Sequence, residues 1–174
     1  MSPLAQEVQA YNLETGQTFL IQSRTGESGA WSPDSAFLLF TEAELLPDAF
    51  AVAIFRANLA TSEVLKLSGD TPYTDGWPTW SPDGQWLAFN RKLPNEASGK
   101  QVWVMRTDGR EARPLTADPT NHYGPPAWSP DGQSLLFQRY NLAAAGSPGI
   151  WLMDVATGEL QEISALGIQP TWLP

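Results

Sequence analysis

The chain has 174 residues and a mass of 19.0 kDa, so it is long enough to bury about 70% of the surface that its unfolded form exposes. With 42% hydrophobic and 17% charged residues, its composition excludes an intrinsically disordered protein. A net charge of −9 argues against nucleic acid as a partner, the absence of cysteine excludes disulfides and thiolate catalysis, and no apolar run is long enough to span a membrane.

Two short extended segments joined by a turn are the first predicted elements. Val8 to Leu13 and Thr18 to Gln22 flank Thr15 and Gly16, and glycine accepts the positive φ that a tight hairpin turn requires. The same marker recurs between other pairs of extended segments, as Asn58-Leu59-Ala60-Thr61-Ser62, Arg106-Thr107-Asp108-Gly109 and Asp154-Val155-Ala156-Thr157-Gly158. Each copy predicts a β-hairpin.

A second marker, Trp-Ser-Pro-Asp-Gly, recurs out of phase with the first. It is complete at 80–84 and 128–132, has Ser35 in place of glycine at 31–35, and is truncated to Trp-Leu-Pro at 172–174. Because one copy is too small to bury its own apolar face, a period of 44 to 49 residues predicts an array of one structural unit. The tryptophans that begin the copies are expected to be structural: Trp31, Trp80, Trp128 and Trp172.

The residue types of this second marker predict a tight turn. Serine suits the first position of a type I turn, proline fixes φ at the second, aspartate suits the third, and the next residue takes a positive φ. Ser35 is therefore expected to hold a positive φ that glycine holds in the complete copies. The turn aspartates are interpreted as residues that bond the backbone rather than as a ring of cation ligands: Asp34, Asp83 and Asp131.

One period predicts four strands. The first strand ends at the tryptophan, the second is the apolar run after the Ser-Pro-Asp turn, and the third and fourth flank the Thr-Gly turn. Four-stranded antiparallel units at this period are the blades of a β-propeller. The sequence therefore predicts an all-β fold, a β-propeller with about four blades' worth of repeats.

The order of these elements carries a family resemblance. Pro, any residue, Trp-Ser-Pro-Asp-Gly, an apolar strand, an aromatic-rich strand such as Ile150 to Asp154, and a Thr-Gly turn together resemble the TolB-like propeller repeat over nearly the whole chain. The resemblance implies a protein that docks other proteins, often outside the cytoplasm, or a sensor or gating domain fused to a kinase or a serine hydrolase. It also implies more blades than this chain encodes.

The repeats divide a single predicted domain, residues 1–174, into five parts. These are the outer strands of an incomplete blade at 1–30, full blades at 31–76, 77–124 and 125–167, and the first strand of a closing blade at 168–174, with Ile168 to Leu173 extended. An unpaired end strand is a liability that proteins cover or pair. Three arrangements stay open: two copies that complete one ring, a piece of a longer propeller, and a closed ring of four blades.

The predicted strand order sorts the connections onto two faces. The Ser-Pro-Asp and Thr-Gly turns lie on one face, whereas the long loops 41–50, 91–100 and 139–149 and the crossovers between blades lie on the other. Long loops on a rigid scaffold often carry binding groups, and aromatic and arginine side chains anchor interfaces. The predicted partner-binding residues are Tyr73, Asp75, Trp77, Arg91, His122, Tyr123, Arg139 and Tyr140.

Several of these residues have a structural alternative. Trp77 and Tyr123 could pack against a neighbouring blade, because aromatic side chains are often buried. His122 is the only histidine and lacks the partners of a catalytic or metal site, so it is expected to be exposed or to cap a loop. The acidic loop of Glu42, Glu44 and Asp48 is expected to be a solvated surface rather than a metal site, and Asp70 and Asp118 lie beside the basic residues of the predicted binding loops. We predict no metal site and no cofactor.

The favoured hypothesis is a non-enzymatic scaffold that binds a protein partner through the long-loop face or a central channel. The sequence carries no Gly-x-Ser-x-Gly and no phosphate-binding loop. One alternative is a carbohydrate or peptide hydrolase or lyase with paired carboxylates, and another is a gating or sensor propeller of a larger enzyme or kinase. Self-association to complete the ring is a further expected contact, and membrane insertion is not expected.

Overall fold

Strands alternate with tight turns along the described part of the chain. The computed structural model describes residues 6–23, 28–47, 49–69, 71–93, 97–144 and 147–173, and within these ranges it contains fifteen strands and no helix. It follows that no described helix could cross a membrane. The prediction of an all-β fold is confirmed.

Successive strands pair antiparallel as one hairpin and three blades. The hairpin consists of β1 (Gln6–Tyr11) and β2 (Thr18–Ser23). The strands of blade 1 are β3 (Ser28–Trp31), β4 (Phe37–Leu46), β5 (Ala49–Asn58) and β6 (Val64–Lys66). Those of blade 2 are β7 (Thr74–Trp80), β8 (Trp86–Lys92), β9 (Gln101–Arg106) and β10 (Arg113–Pro114). Those of blade 3 are β11 (Asn121–Tyr123), β12 (Ala127–Trp128), β13 (Ser134–Asn141), β14 (Gly149–Asp154) and β15 (Leu160–Ser164).

The inner strands of blades 1 and 2 are buried on both faces, because apolar clusters lie between successive units, whereas the last strands β6 and β10 are exposed. Alternate side chains of β4 enter different clusters, because side chains along a strand point to opposite faces. Leu38 packs with Val8 and Ile21 of the hairpin, whereas Leu39 packs with Trp80 of blade 2. A third cluster joins blades 2 and 3 and includes Ala88, Val104, Tyr123, Phe137 and Met153. This arrangement explains the continuous apolar runs of the sequence.

The Ser-Pro-Asp segments form the predicted turns. In each, the backbone N–H of the fourth residue donates to the serine carbonyl at 2.9 Å, and the serine hydroxyl donates to the aspartate carboxylate at 2.5–2.6 Å. The same carboxylates also accept the backbone N–H two residues on. The serine hydroxyl first, and this backbone N–H second, hold the pKa of each aspartate below its usual range: Asp34, Asp83 and Asp131. Ser35 has a φ of 59°, beside 67° at Gly84 and 71° at Gly132, so the predicted positive φ at Ser35 is confirmed.

The tight turns of neighbouring blades lie side by side. A Cβ added to Gly84 would lie 4.0 Å from Pro33 Cδ, and one added to Gly132 would lie 3.5 Å from Pro82 Cδ. The Thr-Gly turns join the same side, because Thr107 N–H donates to Gln85 O and Val155 N–H donates to Gln133 O. We call this side the short-turn face and the opposite side, where β8 leads to β9 and β13 leads to β14, the long-loop face.

One long loop of the sequence prediction is a strand pair instead. The ladder of β4 and β5 runs from Phe37 opposite Asn58 to Leu46 opposite Ala49, so the predicted loop 41–50 is reduced to a tight turn. Glu42 and Glu44 therefore lie on β4 rather than in a solvated loop. Glu44 Oε2 forms an ion pair with Lys66 Nζ at 2.9 Å. Asp48 and Asp70 lie outside the described residues.

The blade boundaries also differ from the prediction. The division at 76/77 falls inside β7, and the division at 124/125 separates β11 from β12, which together form the first strand of blade 3. The segment 168–173 is not a strand, although Trp172 Nε1 donates to Ala127 O at 3.1 Å. A first strand requires a second strand beside it, and among the described residues nothing pairs with this segment.

Candidate functional site

Four accessible side chains form a continuous row on the long-loop face. Lys100 Nζ lies 3.9 Å from the ring centroid of Trp77, the Lys100 backbone N–H donates to His122 Nδ1 at 3.4 Å, and the His122 ring stacks on Tyr140 at 4.9 Å. The ladder between β11 and β13 sets the last contact, because it places His122 directly opposite Tyr140. We call Trp77, Lys100, His122 and Tyr140 the aromatic–lysine row.

Trp77 is held in an unusual backbone conformation. It lies in the irregular part of the β7–β8 ladder, between Gly76 and Thr79, and has a φ of 50°. A bulky residue at positive φ costs on the order of 1–3 kcal/mol, and such residues cluster at functional sites. The Trp77 side chain is 47% exposed, so burial of the ring does not offset the free-energy cost of this backbone conformation. The bulge instead directs a large aromatic ring outward.

His122 is half-buried, and its surroundings favour the neutral imidazole. Burial lowers the pKa of His122, and the positive charges of Lys100 and Lys92 lower it further. The neutral ring is consistent with Nδ1 as the acceptor of the Lys100 N–H. His122 therefore serves as a stacking and capping residue that links β11 to the start of β9, as the second of the sequence alternatives proposed.

Asp75 and Arg91 do not lie at the surface, contrary to the sequence prediction. They stand opposite each other in the β7–β8 ladder, and Arg91 Nε and Nη2 each donate to the Asp75 carboxylate at 2.7 Å. Asp75 is 1% exposed, and Arg91 is buried with its guanidinium 4.6 Å from the rings of Tyr73 and Trp103. A guanidinium that is paired and stacked in this way supports the long-loop face from below and is not exposed to a binding partner.

Tyr123 is also buried, at 1% exposure, and its ring meets Phe137 edge to face at 5.6 Å. This corresponds to the structural alternative, since Tyr123 belongs to the cluster between blades 2 and 3. Its neighbour Arg139 is half-buried, 4.5 Å from the Trp151 ring and 3.7 Å from the Asp118 carboxylate. Hydrogen bonds from Thr120 hold the pKa of Asp118 below its usual range.

A shallow hollow of about 280 Å³ lies beside the row. Trp77 lines it together with three prolines, Pro78, Pro125 and Pro126, and with residues of β3 and β4. Sequence reasoning identified neither Lys100 nor these prolines as site residues, because their contacts join segments that lie far apart in the sequence. Among the residues that the structure describes, no three His, Asp or Glu side chains are placed to hold a metal ion.

Four-stranded antiparallel blades that pack face to face, with tight turns on one face and longer connections on the other, define a protein of the β-propeller class. The family model described as the TolB beta propeller domain matches residues 28–174, and the chain belongs to that family. The recognition from the Trp-Ser-Pro-Asp-Gly repeat is thereby confirmed.

Two solved structures and one curated protein are similar to this chain. TolB from Acinetobacter baumannii shares 21% identity with a TM-score of 0.69, over 98% of this chain and 41% of that chain. An oligogalacturonate lyase in complex with manganese shares 20% identity with a TM-score of 0.69, over 91% and 48%. The uncharacterized peptidase YuxL of Bacillus subtilis is 35% identical over 100 residues, which is 49% of this chain and 15% of that protein. The chain thus spans less than half of each of these three proteins.

Proposed function

We propose that this chain is a binding module that docks a protein partner on its long-loop face, with Trp77 as the anchor. The observation that carries the proposal is the half-exposed Trp77 ring, held at positive φ on a β-bulge at the end of the aromatic–lysine row. Tryptophan is the residue type most enriched at interface hot spots. The TolB proteins among the structural neighbours support a binding role.

The row suits a partner that presents both apolar and acidic groups. Trp77, Pro78, Pro125 and Pro126 supply a rigid apolar hollow, and Lys100 and Lys92 supply positive charge in a molecule of net charge −9. Prolines and aromatic rings lose little conformational entropy on binding, which favours affinity. Tyr73, Arg139 and Tyr140 extend the proposed surface, while Asp75, Arg91 and Tyr123 hold it from below.

Removal of the Trp77 ring tests the proposal. Wild type, Trp77→Ala and Leu13→Ala would be immobilised at equal density, and proteins captured from the source cells would be quantified by mass spectrometry. Leu13 is a matched control, since it is 90% exposed beside the Thr-Gly turn of the hairpin. We expect a partner that wild type and Leu13→Ala capture and that binds Trp77→Ala about 30-fold more weakly in calorimetry, as for a hot-spot tryptophan.

Equal affinity of the purified partner for Trp77→Ala and wild type would contradict the proposal. A thermal melt of Trp77→Ala would show that the variant is folded. Because the ring is half-exposed and its φ is unfavourable, we expect little loss of stability from this substitution.

A second candidate function is that of the propeller part of a peptidase. The 35% identity with the uncharacterized peptidase YuxL favours it. The long-loop face would then dock a hydrolase catalytic domain, and the identity of the captured partner distinguishes the two candidates. Two copies of the chain are also proposed to associate through their ends, because apolar side chains are exposed at both: Leu20 in the hairpin, and Ile168 and Leu173 after blade 3.

A further inference from the structure

The groove between blades 1 and 2 on the short-turn face has an arginine of this chain as its occupant. The Arg56 guanidinium lies 4.7 Å from the ring centroid of Phe37, and its Nη1 donates to Thr107 O at 2.7 Å across the groove. With Arg56 in place, the remaining volume is about 190 Å³. The groove therefore shows how a guanidinium is held between two blades, by an aromatic ring and a backbone carbonyl.

The groove between blades 2 and 3 has the same two acceptors but no arginine at the ladder position of Arg56, although Arg113 lines its edge. Arg56 stands opposite Leu39 in blade 1, and Val104 stands opposite Ala88 at the equivalent place in blade 2. Trp86 is the equivalent of Phe37, since both begin the strand after a Ser-Pro-Asp turn. Val155 is the equivalent of Thr107, because their backbone N–H groups donate to Gln133 O and Gln85 O, and each acceptor directly follows a Ser-Pro-Asp-Gly turn. The volume of this groove is about 470 Å³, within the about 300–1,000 Å³ of typical ligand sites.

The groove between the hairpin and blade 1 follows the same rule. Asn12 of the hairpin corresponds to Asn58 of blade 1, since both begin the Asn-Leu turn marker, and this correspondence places Ala10 at the position of Arg56. That groove is lined by Ala10 and has a volume of about 540 Å³. The volume of the groove thus falls as the side chain at this position grows, from about 540 Å³ with Ala10 to about 470 Å³ with Val104 and about 190 Å³ with Arg56.

Charge around the groove between blades 2 and 3 favours a cation. Three aspartates and one arginine line it: Asp83, Asp131, Asp154 and Arg113. Two guanidinium groups of the chain already lie near the Trp86 ring: Arg106, 4.0 Å from its centroid and paired with Glu111 at 3.3 Å, and Arg113, 6.0 Å from its centroid. The molecule as a whole has a net charge of −9, which attracts a basic partner.

We propose that the groove between blades 2 and 3 is a binding site for an arginine side chain of a protein partner. The guanidinium lies over Trp86, donates to Val155 O and is balanced by Asp131 and Asp154, as Arg56 is bound one blade earlier. The site lies on the short-turn face, so it is separate from the aromatic–lysine row and does not depend on the binding function proposed there.

Nuclear magnetic resonance on the whole chain tests this site with small probes. N-acetylarginine amide would be titrated into the protein, with N-acetylcitrulline amide, which has the same shape and no charge, as the control. We expect saturable shifts of the Trp86 indole N–H and of the amides of 154–156 with the arginine probe, and at least about tenfold weaker binding of the citrulline probe. Equal shifts with both probes, or shifts confined to other residues, would overturn the proposal.

A pair of variants tests the same site through the repeat. Val104→Arg supplies this groove with an arginine of the chain itself, as Arg56 does in the groove between blades 1 and 2. This variant should weaken binding of the arginine probe at least about tenfold. Leu152→Arg is the matched control, since Leu152 stands opposite Leu136 at the equivalent position of blade 3, outside this groove. Full binding by Val104→Arg, or equal loss in both variants, would overturn the site. The comparison of probes on wild type decides the matter if Val104→Arg does not fold.

Discussion

At the scale of single residues, Ser35 is the position of the three Ser-Pro-Asp turns where a side chain takes the positive φ that glycine holds in the other two. Its φ of 59° matches the glycines of the other two turns, and a non-glycine residue there costs roughly 1 kcal/mol. We expect Ser35→Gly to raise the free energy of unfolding by about that amount in urea denaturation.

The reverse change at an equivalent position is the control. Gly84→Ala should destabilise the protein by about 1 kcal/mol through the same strain, because the added Cβ would have no contact closer than Pro33 Cδ at 4.0 Å. A loss of stability in Ser35→Gly would show that the serine side chain contributes more than its backbone costs.

Residues whose environment is local were predictable from the sequence, and residues whose environment comes from distant strands were not. The turn aspartates bond atoms within three residues, so the residue types of the turn predict their role. The burial of Asp75 depends on Arg91, 16 residues away, and on the aromatic rings that cover it. The position of Lys100 over Trp77 likewise depends on how the connection before β9 lies against β7 of the same blade.

At the scale of elements, the tryptophans of the repeat have unequal roles. Trp80 is 8% exposed, packs with Leu39 and Phe89, and donates its Nε1–H to Ala30 O at 3.0 Å. We expect Trp80→Ala to lower the free energy of unfolding by about 3–5 kcal/mol. Trp31 is 50% exposed, so Trp31→Ala should cost about 1 kcal/mol or less. Equal losses of stability in the two variants would contradict this assignment of roles.

The presence or absence of neighbouring strands explains which elements could be predicted from the sequence. Strands that have a neighbour on each side, such as β8 and β14, match the apolar runs closely. The segment 168–173 carries the same tryptophan marker, but a marker predicts only what its own residues favour and not whether a second strand lies beside them. The extension of β4 to Leu46 was missed because its acidic residues are typical of a loop.

At the scale of the whole molecule, the described blades form an arc with exposed apolar side chains at both ends. The hairpin of β1 and β2 is a separate two-stranded sheet, and in the described part of the chain it pairs with no strand of blade 3. Leu20 of the hairpin at one end and Leu166, Ile168 and Leu173 at the other leave apolar surface in water. Light scattering after gel filtration is therefore expected to give a mass above the 19.0 kDa of one chain. A mass of 19.0 kDa at all concentrations would contradict self-association.

The link between a tryptophan and the blade before it has a consequence for how such an array changes in length. Trp80 donates to the backbone beside Trp31, and Trp172 donates to the backbone beside Trp128, whereas Trp128 Nε1 is buried without a hydrogen-bond partner among the described residues, so the joint between blades 2 and 3 lacks this bond. A gene duplication or deletion of one whole period would keep each tryptophan beside the same position of the preceding unit. Lengths that differ by complete periods are thus accessible in single genetic steps, whereas a change of half a period would separate a donor from its acceptor.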